Sequence, residues 1–449
     1  MAKTTDMTKG KPLKLILNFA LPLIVTNLGQ QLYMIADAAI VGRGIGVKAL
    51  ASVGAADWVY WMVLWTVMML TQGFSMFVSR HFGEKNMTDM NRVVAMSTEL
   101  CAFFGVILTV AGLFAVRPVL NLLGTPGDIT DGSATYLNTM ISGTVIVCAY
   151  NMASAILRAV GDGKTPLVAM IISAVLNVGL DLLFVIWFNW GIFGAAFASV
   201  ISQLFSFLYC FAVLAKSDYI NISKEMWKPD GKLIRKLLAF ALPLAAQYMI
   251  INLGGIVLQS TVNSQGSMFV AGFTATNKLY GLLESSAISL GTAFSTYFAQ
   301  NFGAKNELRI KRGMKTAILL SLAASLVIML VVFVLGRFLL MLFLDTSEAG
   351  AFEALDIAEK YLMIMALCLP VLYLIYVYRS VLQSAGNSTW SLISGFGELF
   401  VRAGMSKIVF GFAGVGVLYW TEPLAWLAAL LFVMIPYYIK QKRKTLAIF

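Results

Sequence analysis

Apolar runs long enough to cross a bilayer follow one another along almost the whole chain. No other feature limits its folding so strongly. About 20 apolar residues span the hydrocarbon core as a helix, because only a helix or a closed barrel satisfies every backbone N–H and C=O there. Such runs stand at approximately 14–40, 50–79, 92–116, 133–157, 166–188, 191–214, 237–262, 270–300, 313–335, 357–382, 388–410 and 415–438. Of the 449 residues, 59% are hydrophobic and 12% charged, which leaves little chain for a soluble domain. The expected fold is an all-α polytopic membrane protein of twelve transmembrane helices.

The net charge of +11 is carried mostly by short loops between the runs, so it reads as membrane orientation rather than nucleic-acid binding. Lys and Arg crowd the N-terminus (Lys9, Lys11, Lys14) and the loops after the second, fourth, sixth and eighth runs. They also crowd the tail (Lys440, Lys442, Arg443). The opposite loops hold only Arg43, Lys48, Arg117, Arg337 and Lys360. Both termini are therefore expected in the cytoplasm, with the chain multi-pass in the cytoplasmic (inner) membrane. Ala36-Asp37-Ala38 imitates a signal-peptide cleavage box, but its apolar run is too long for a signal core and is read as retained. Cys101, Cys148, Cys210 and Cys368 all fall within apolar runs, as packing residues do, and His81 is the only histidine.

The halves repeat in order. Phe19-Ala20-Leu21-Pro22 returns as Phe240-Ala241-Leu242-Pro243, and His81-Phe82-Gly83-Glu84-Lys85-Asn86 as Asn301-Phe302-Gly303-Ala304-Lys305-Asn306. Leu157-Arg158-Ala159-Val160-Gly161-Asp162 returns more weakly as Leu382-Gln383-Ser384-Ala385-Gly386-Asn387. Six spans per copy is an even number, so both copies enter the membrane in the same sense. This is a parallel repeat of two pseudo-symmetric six-helix bundles. The expected division is 1–214 for the first bundle, 215–236 for a basic cytoplasmic linker and 237–449 for the second bundle. In such folds the substrate path runs between the bundles.

The repeat is symmetric in frame but not in chemistry. Asp37 aligns with an apolar position near Leu258, and Asn177 and Asp181 align with Arg402 and Ser406. A carboxylate inside a span costs roughly 2.5–3.5 kcal/mol even on insertion scales, so Asp37 and Asp181 are expected to face protein or water. Gln30, Tyr33 and Asp37 share one helix face at i, i+3 and i+7, as Asn177 and Asp181 do at i and i+4. Counting along alternating spans puts Asp37, Asp181 and Ser199 in the outer half, with Tyr136 near the outer surface and Asn151 deeper. Tyr33, Tyr136, Asn151 and Ser199 taken singly are equally what helix–helix hydrogen bonding requires. Two acids at matched depth are costly as glue and point to a cation site. Pro22 lacks an N–H and is expected to bend the first helix. In the second bundle Glu398 and Arg402, at i and i+4, suit an internal ion pair, and Glu284 stands without an obvious partner.

Two motifs are dismissed. Gly163-Lys164-Thr165 resembles the end of a phosphate loop, but Arg158 stands where its first glycine belongs. Neither acid carries the Gly-x-Gly-Asp signature of an intramembrane aspartyl protease. At these residues the chain instead resembles the multidrug and toxic compound extrusion (MATE) family. The resemblance rests on Phe19–Pro22, Asp37–Arg43, Phe82–Asn86, Arg158–Pro166, Asn177–Asp181 and Gly191–Ser199, and covers almost the whole chain. Within the family the chain is most similar to the DinF-like branch, whose acidic site lies in the first bundle. The resemblance implies a hydrogen-bonded cation site of Gln30, Tyr33, Asp37, Tyr136, Asn151, Asn177 and Asp181. Ser199 stands where relatives often have Thr, and Pro22 matches a first-helix proline linked to transport.

The function implied is efflux of amphipathic, mostly cationic organic compounds by alternating access, driven by inward H+ or Na+, and not an enzyme activity. Two alternatives stay open. One is a lipid-linked precursor flippase of the same superfamily; it would want a strongly cationic cavity, and few basic residues lie inside spans, with Lys278, Arg379, Arg402 and Lys407 as the candidates. The other is a membrane-embedded enzyme. No cofactor and no nucleic-acid partner are expected, and the chain is expected to act as a monomer in the lipid bilayer. The one metal the residues suit is Na+ at Asp37, Asn177 and Asp181, where hard oxygen ligands gather.

Overall fold

The computed structural model describes residues 4–343, 350–443 and 446, apart from the side chains of Leu32, Val47 and Trp58. Lys3 and Lys444, two further basic residues of the termini, lie outside that description. The first six spans are α1 (Pro12–Gly44), α2 (Val47–Glu84), α3 (Met87–Leu122), the pair α4 (Gly127–Ser142) and α5 (Thr144–Ala159), α6 (Lys164–Asp181) and α7 (Gly191–Ala215). The second six are α8 (Gly231–Asn263), α9 (Ser267–Gly303), α10 (Glu307–Met341), α11 (Ala351–Ser384), α12 (Ser388–Ala403) with the short α13 (Phe410–Ala413), and α14 (Gly416–Lys442). Nine helices are long and apolar enough to cross a membrane among the described residues, and α4 and α5, bent by 47°, together make a tenth. The other two expected spans, α9 and the α12–α13 stretch, are less apolar for a physical reason. Their polar residues (Thr276, Ser285, Ser289, Gln300 and Asn301; Ser391, Ser394, Glu398 and Arg402) are buried against protein rather than turned to lipid.

The repeated motifs prove to be helix punctuation. In the Phe-Gly-x-Lys-Asn copies, Lys85 and Lys305 adopt left-handed conformations, with φ of 58° and 53°. The next N–H reaches back five residues, from Asn86 to His81 O and from Asn306 to Asn301 O, each at 3.0 Å. Each Asn then caps the following helix, accepting from Asp89 N and Arg309 N at 3.1 Å. Replacing either Asn by Ala is expected to cost about 1 kcal/mol, read as a lower melting temperature without a change of fold. The weaker repeat works similarly. Gly161 and Gly386 supply positive φ after α5 and α11, and Asp162 then accepts from Lys164 N and Thr165 N at 3.0 Å, whereas Asn387, the N-cap of α12, makes no side-chain bond to that helix end.

The chain divides into two compact units. The first takes the chain through Met7 and then Leu21–Ala245; the second takes Thr8–Ala20 and the chain from Ala246 onward. Thus α1 and α8 each contribute to both units, changing over beside Pro22 and Pro243, where a missing N–H weakens the helical ladder. In the first unit α2 packs on α3, α4 and α5, and α7 packs on α4, α5 and α6. The inter-repeat segment is pinned to α3 within this unit. Asn91 donates to Tyr219 O and accepts from Asn221 N, both at 3.1 Å, and Arg92 pairs with Asp230 at 2.9 Å. The Leu233 N–H, aided by the Lys232 N–H and by Arg92, holds the Asp230 carboxyl below its ordinary range. In the second unit α11 packs on α9, α10 and α14, and α12 packs on α14.

Both copies contain a π-helical turn directly after the polar face of their fifth span. It covers Leu182–Trp187 after Asp181 and Gly404–Val409 after Arg402. Such turns concentrate at functional sites because the extra residue rotates the helix faces on either side relative to each other. Sequence periodicity does not anticipate them.

Candidate cation site

Within the first unit, five of the expected residues converge. Asn177 and Asp181 are fully buried on the last two turns of α6, and Ser199 is buried on α7. With its amide turned to suit its neighbours, Asn177 donates from Nδ2 to Asp181 Oδ2 at 2.8 Å. Its Oδ1 accepts from Ser199 Oγ at 3.1 Å and from Ser199 N at 3.3 Å. The Ser199 hydrogen is thereby used, so the Tyr33 hydroxyl, 3.2 Å away on α1, donates to Ser199. The chain of bonds runs in one direction, from Tyr33 through Ser199 and Asn177 to Asp181.

Asp37 closes the cluster. Its carboxyl faces that of Asp181 within hydrogen-bonding range, and Asp37 Oδ1 and Asp181 Oδ1 are both buried without an N–H or O–H donor. Besides the Asn177 amide on Asp181, each carboxyl acts on the other, and no salt bridge reaches either acid among the described residues. Two carboxyls in such contact are stable only with a proton or a metal cation between them. The arrangement can therefore take up one cation and release it, with Asn177 and Ser199 holding the acids in place.

The other expected residues are placed differently. Tyr136 is buried on α4 within electrostatic range of Asp37 and Tyr33, but joins none of these hydrogen bonds. Asn151 is buried on α5 and spends its amide on Val147 O, one turn back, at 2.9 Å. Gln30 is half-buried and takes no part in the network. Pro22 lies within an unbroken helical stretch, its carbonyl accepting from Thr26 Oγ1 at 2.8 Å. An acid the sequence reading passed over is Asp57 on α2, which bears on Tyr60 and Tyr136. The same rule that flagged Asp37, an ionisable residue within an apolar run, would have found it.

The second unit holds a charge network of another kind. Glu398 and Arg402 do pair, at 3.2 Å, but each has a closer partner. Arg379 reaches Glu398 at 2.5 Å and also donates to Ser394 Oγ. Arg402 clasps Glu422 with two bonds of 2.9 and 2.7 Å and donates to Ile251 O at 3.0 Å. Glu284 accepts from the Tyr376 hydroxyl at 3.0 Å and lies within electrostatic range of Tyr280. Apart from Glu284, acids and guanidiniums here compensate one another, whereas Asp37 and Asp181 have no basic partner among the described residues. The four cysteines are free.

Comparison with known proteins agrees with this architecture. The MatE family model matches residues 22–183 and again 243–406, one match per copy of the repeat. The probable multidrug resistance protein YpnP of Bacillus subtilis (strain 168) is 31% identical over 391 residues, covering 86% of this chain and 85% of that one. The multidrug export protein MepA of Staphylococcus saprophyticus is 21% identical over 438 residues, covering 97% and 96%. Among solved structures, a MOP-superfamily transporter from Pyrococcus furiosus superimposes with a TM-score of 0.90 at 21% identity, over 99% of both chains. An outward-facing multidrug resistance MATE transporter matches equally well, with a TM-score of 0.90 at 21% identity over 99% of both chains. With the family model falling once on each half and a relative of this identity covered through most of its length, the chain belongs to the MATE family of multi-pass membrane transporters.

Proposed function

We propose that this transporter exports amphipathic, mostly cationic organic compounds from the cytoplasm, exchanging them for inward H+ or Na+ bound at Asp37 and Asp181. The observation that carries the reading is the buried pair of acids in mutual contact, with one donor-less oxygen each and no basic partner. The relatives named for multidrug resistance and export support the substrate class. Lys and Arg lie mainly in the N-terminal segment, in the even-numbered loops and in the tail, so both termini are assigned to the cytoplasmic side of the inner membrane. That orientation puts the Asp37–Asp181 pair in the outer half. Exchange then follows from competition. A cation arriving from outside neutralises the pair, and its release inside restores the charge that favours the opposite conformation. Pro22, where α1 changes units, is the point at which that helix would flex.

The two ions make different demands. A proton needs only the two carboxyls, whereas Na+ needs several hard oxygens. The Asn177 amide and Ser199 hydroxyl beside the pair favour Na+ slightly, and protonation of either acid would remove a charge from a sodium site. In proteoliposomes, dye flux is expected to respond to a sodium gradient at fixed pH, and Ser199→Ala is expected to weaken that response by about threefold, one neutral hydrogen bond's worth. Flux that follows a pH gradient and ignores sodium would make the proton the sole driver.

A further inference from the structure

Glu284 is left out of the second unit's charge network, and no salt bridge reaches it among the described residues. It stands at the middle of α9 and stays partly accessible, as do Tyr280 and Gly281 one turn earlier on the same face. A Cβ at Gly281 would meet no atom within 4 Å, so open space lies beside this face. A carboxylate at mid-membrane turned to hydrocarbon would be costly, so that space holds water rather than lipid tails. Lys278, the nearest cationic residue along α9, is exposed and stands about 120° farther round the helix.

The rings beside this acid are held in place. Tyr376 of α11 donates its hydroxyl to Glu284 Oε1 at 3.0 Å. Its ring closes on α9 at Gly291, where a Cβ would stand 3.0 Å from Tyr376 Cδ1. One turn to either side of Tyr376, Tyr373 Oη donates to Leu283 O at 3.0 Å and Ser380 Oγ to Gly291 O at 2.8 Å, so α11 is fixed in rotation against α9. Tyr280, at i−4 from Glu284, stacks on Trp426 of α14 with ring centroids 5.5 Å apart and planes 19° apart. Trp426 is 2% exposed, so the stack rests on packed protein while Tyr280 itself stays partly accessible. A carboxylate has about four acceptor sites, so the bond from Tyr376 leaves room for a ligand.

An uncompensated carboxylate flanked by tyrosine rings suits one class of ligand. Na+ wants several hard oxygens, and one carboxylate with two phenols falls short of them. Nor are three acid, histidine or cysteine side chains grouped as one metal would need among the described residues. A weakly hydrated organic cation instead gains from ring faces and from a single countercharge. We infer that Glu284, with the Tyr280 and Tyr376 rings, seats the positive head of the exported organic cation, apart from the Asp37–Asp181 pair. The inference rests on the export of amphipathic cations proposed above. Substrate and coupling ion then compete through conformation rather than for one carboxylate, because each has its own acid in its own unit.

The test is equilibrium binding of the organic cations ethidium and tetraphenylphosphonium to the purified protein in detergent, with sodium and proton binding measured on the same preparations. Glu284→Gln is expected to weaken binding of both compounds about tenfold, one charged contact's worth, with half-saturation by Na+ and by protons unchanged. The change strands no basic group, so the melting temperature should hold. Tyr280→Leu should weaken both compounds about threefold, a cation–π contact's worth, whereas Tyr280→Phe keeps the ring and should cost less than about twofold. Unchanged affinity for both compounds in Glu284→Gln overturns the seat. Unchanged organic affinity beside a shifted sodium or proton half-saturation overturns it too, in favour of an inorganic cation at Glu284. A lower melting temperature with equal losses in Tyr280→Leu and Tyr280→Phe overturns it in favour of a packing role. Should Glu284→Gln fail to fold, Tyr280→Leu decides the matter, and unchanged affinity there counts against the seat. Wild-type protein that binds neither compound removes the export of organic cations itself, and the seat with it.

Discussion

Asp181→Asn should lower cation-coupled export by about a hundredfold or more, the equivalent of losing one charged contact worth about 3 kcal/mol. Asparagine is nearly the same shape as aspartate and can still accept from Asn177 Nδ2, so the network from Tyr33 onward has no reason to collapse. What it lacks is the charge that a proton or sodium ion neutralises. Asp37→Asn should have the same effect from the other side of the contact. Neither variant should melt below the wild type, because each removes a buried charge that has no basic partner. Flux assays and melting curves on the same preparations check both halves of the expectation. Normal export by both variants would sink the site.

Glu398→Gln should do the reverse: a large loss of stability with little change in ion dependence. Glu398 is 4% exposed and bridges Arg379 and Arg402. Neutralising it leaves Arg402 with Glu422 but leaves Arg379, itself 8% exposed, with Ser394 as its remaining hydrogen-bond partner among the described residues. Breaking a buried pair from one side typically costs about 3–5 kcal/mol, because the charge left behind is uncompensated. Pairing Glu398→Gln with Arg379→Gln should recover part of that loss, since removing both charges leaves neither stranded. An unchanged melt together with a lost ion response would make Glu398 part of the transport machinery.

The contrast between the two units shows what the sequence carries and what it does not. Asp37 and Asp181 were legible as partners because burying a carboxylate is costly and because alternating spans fix depth to within about a turn. Depth also brought in Ser199, and Tyr33 came in by sharing a helix face with Asp37. It could not say that Asn151 would turn to its own helix at Val147, or that Gln30 would stand outside the network. Those outcomes depend on the rotation of each helix about its axis. In a soluble protein an apolar stripe fixes that rotation, but a membrane helix is apolar on the lipid side and the protein side alike. The same limit hid Glu422 behind the nearer i, i+4 pairing of Glu398 with Arg402. Arg379 was visible as a basic residue within a span, but nothing in the spacing assigned it to Glu398. The repeated Phe-Gly-x-Lys-Asn motif, by contrast, was fully local chemistry, and its left-handed lysine and capping asparagine recur in both copies.

The most direct measurement is of the cation itself. Purified protein in weakly buffered detergent solution, equilibrated with radioactive Na+ across a range of pH, reports both bound sodium and proton uptake or release. Addition of ethidium should displace close to one cation per protein, as sodium or as a proton, and Na+ and H+ should exclude one another. In the Asp37→Asn/Asp181→Asn double variant that displacement should vanish while the melting temperature stays at or above the wild-type value. Displacement of the same size from the double variant would contradict the account, because the coupling cation would then be held by other groups.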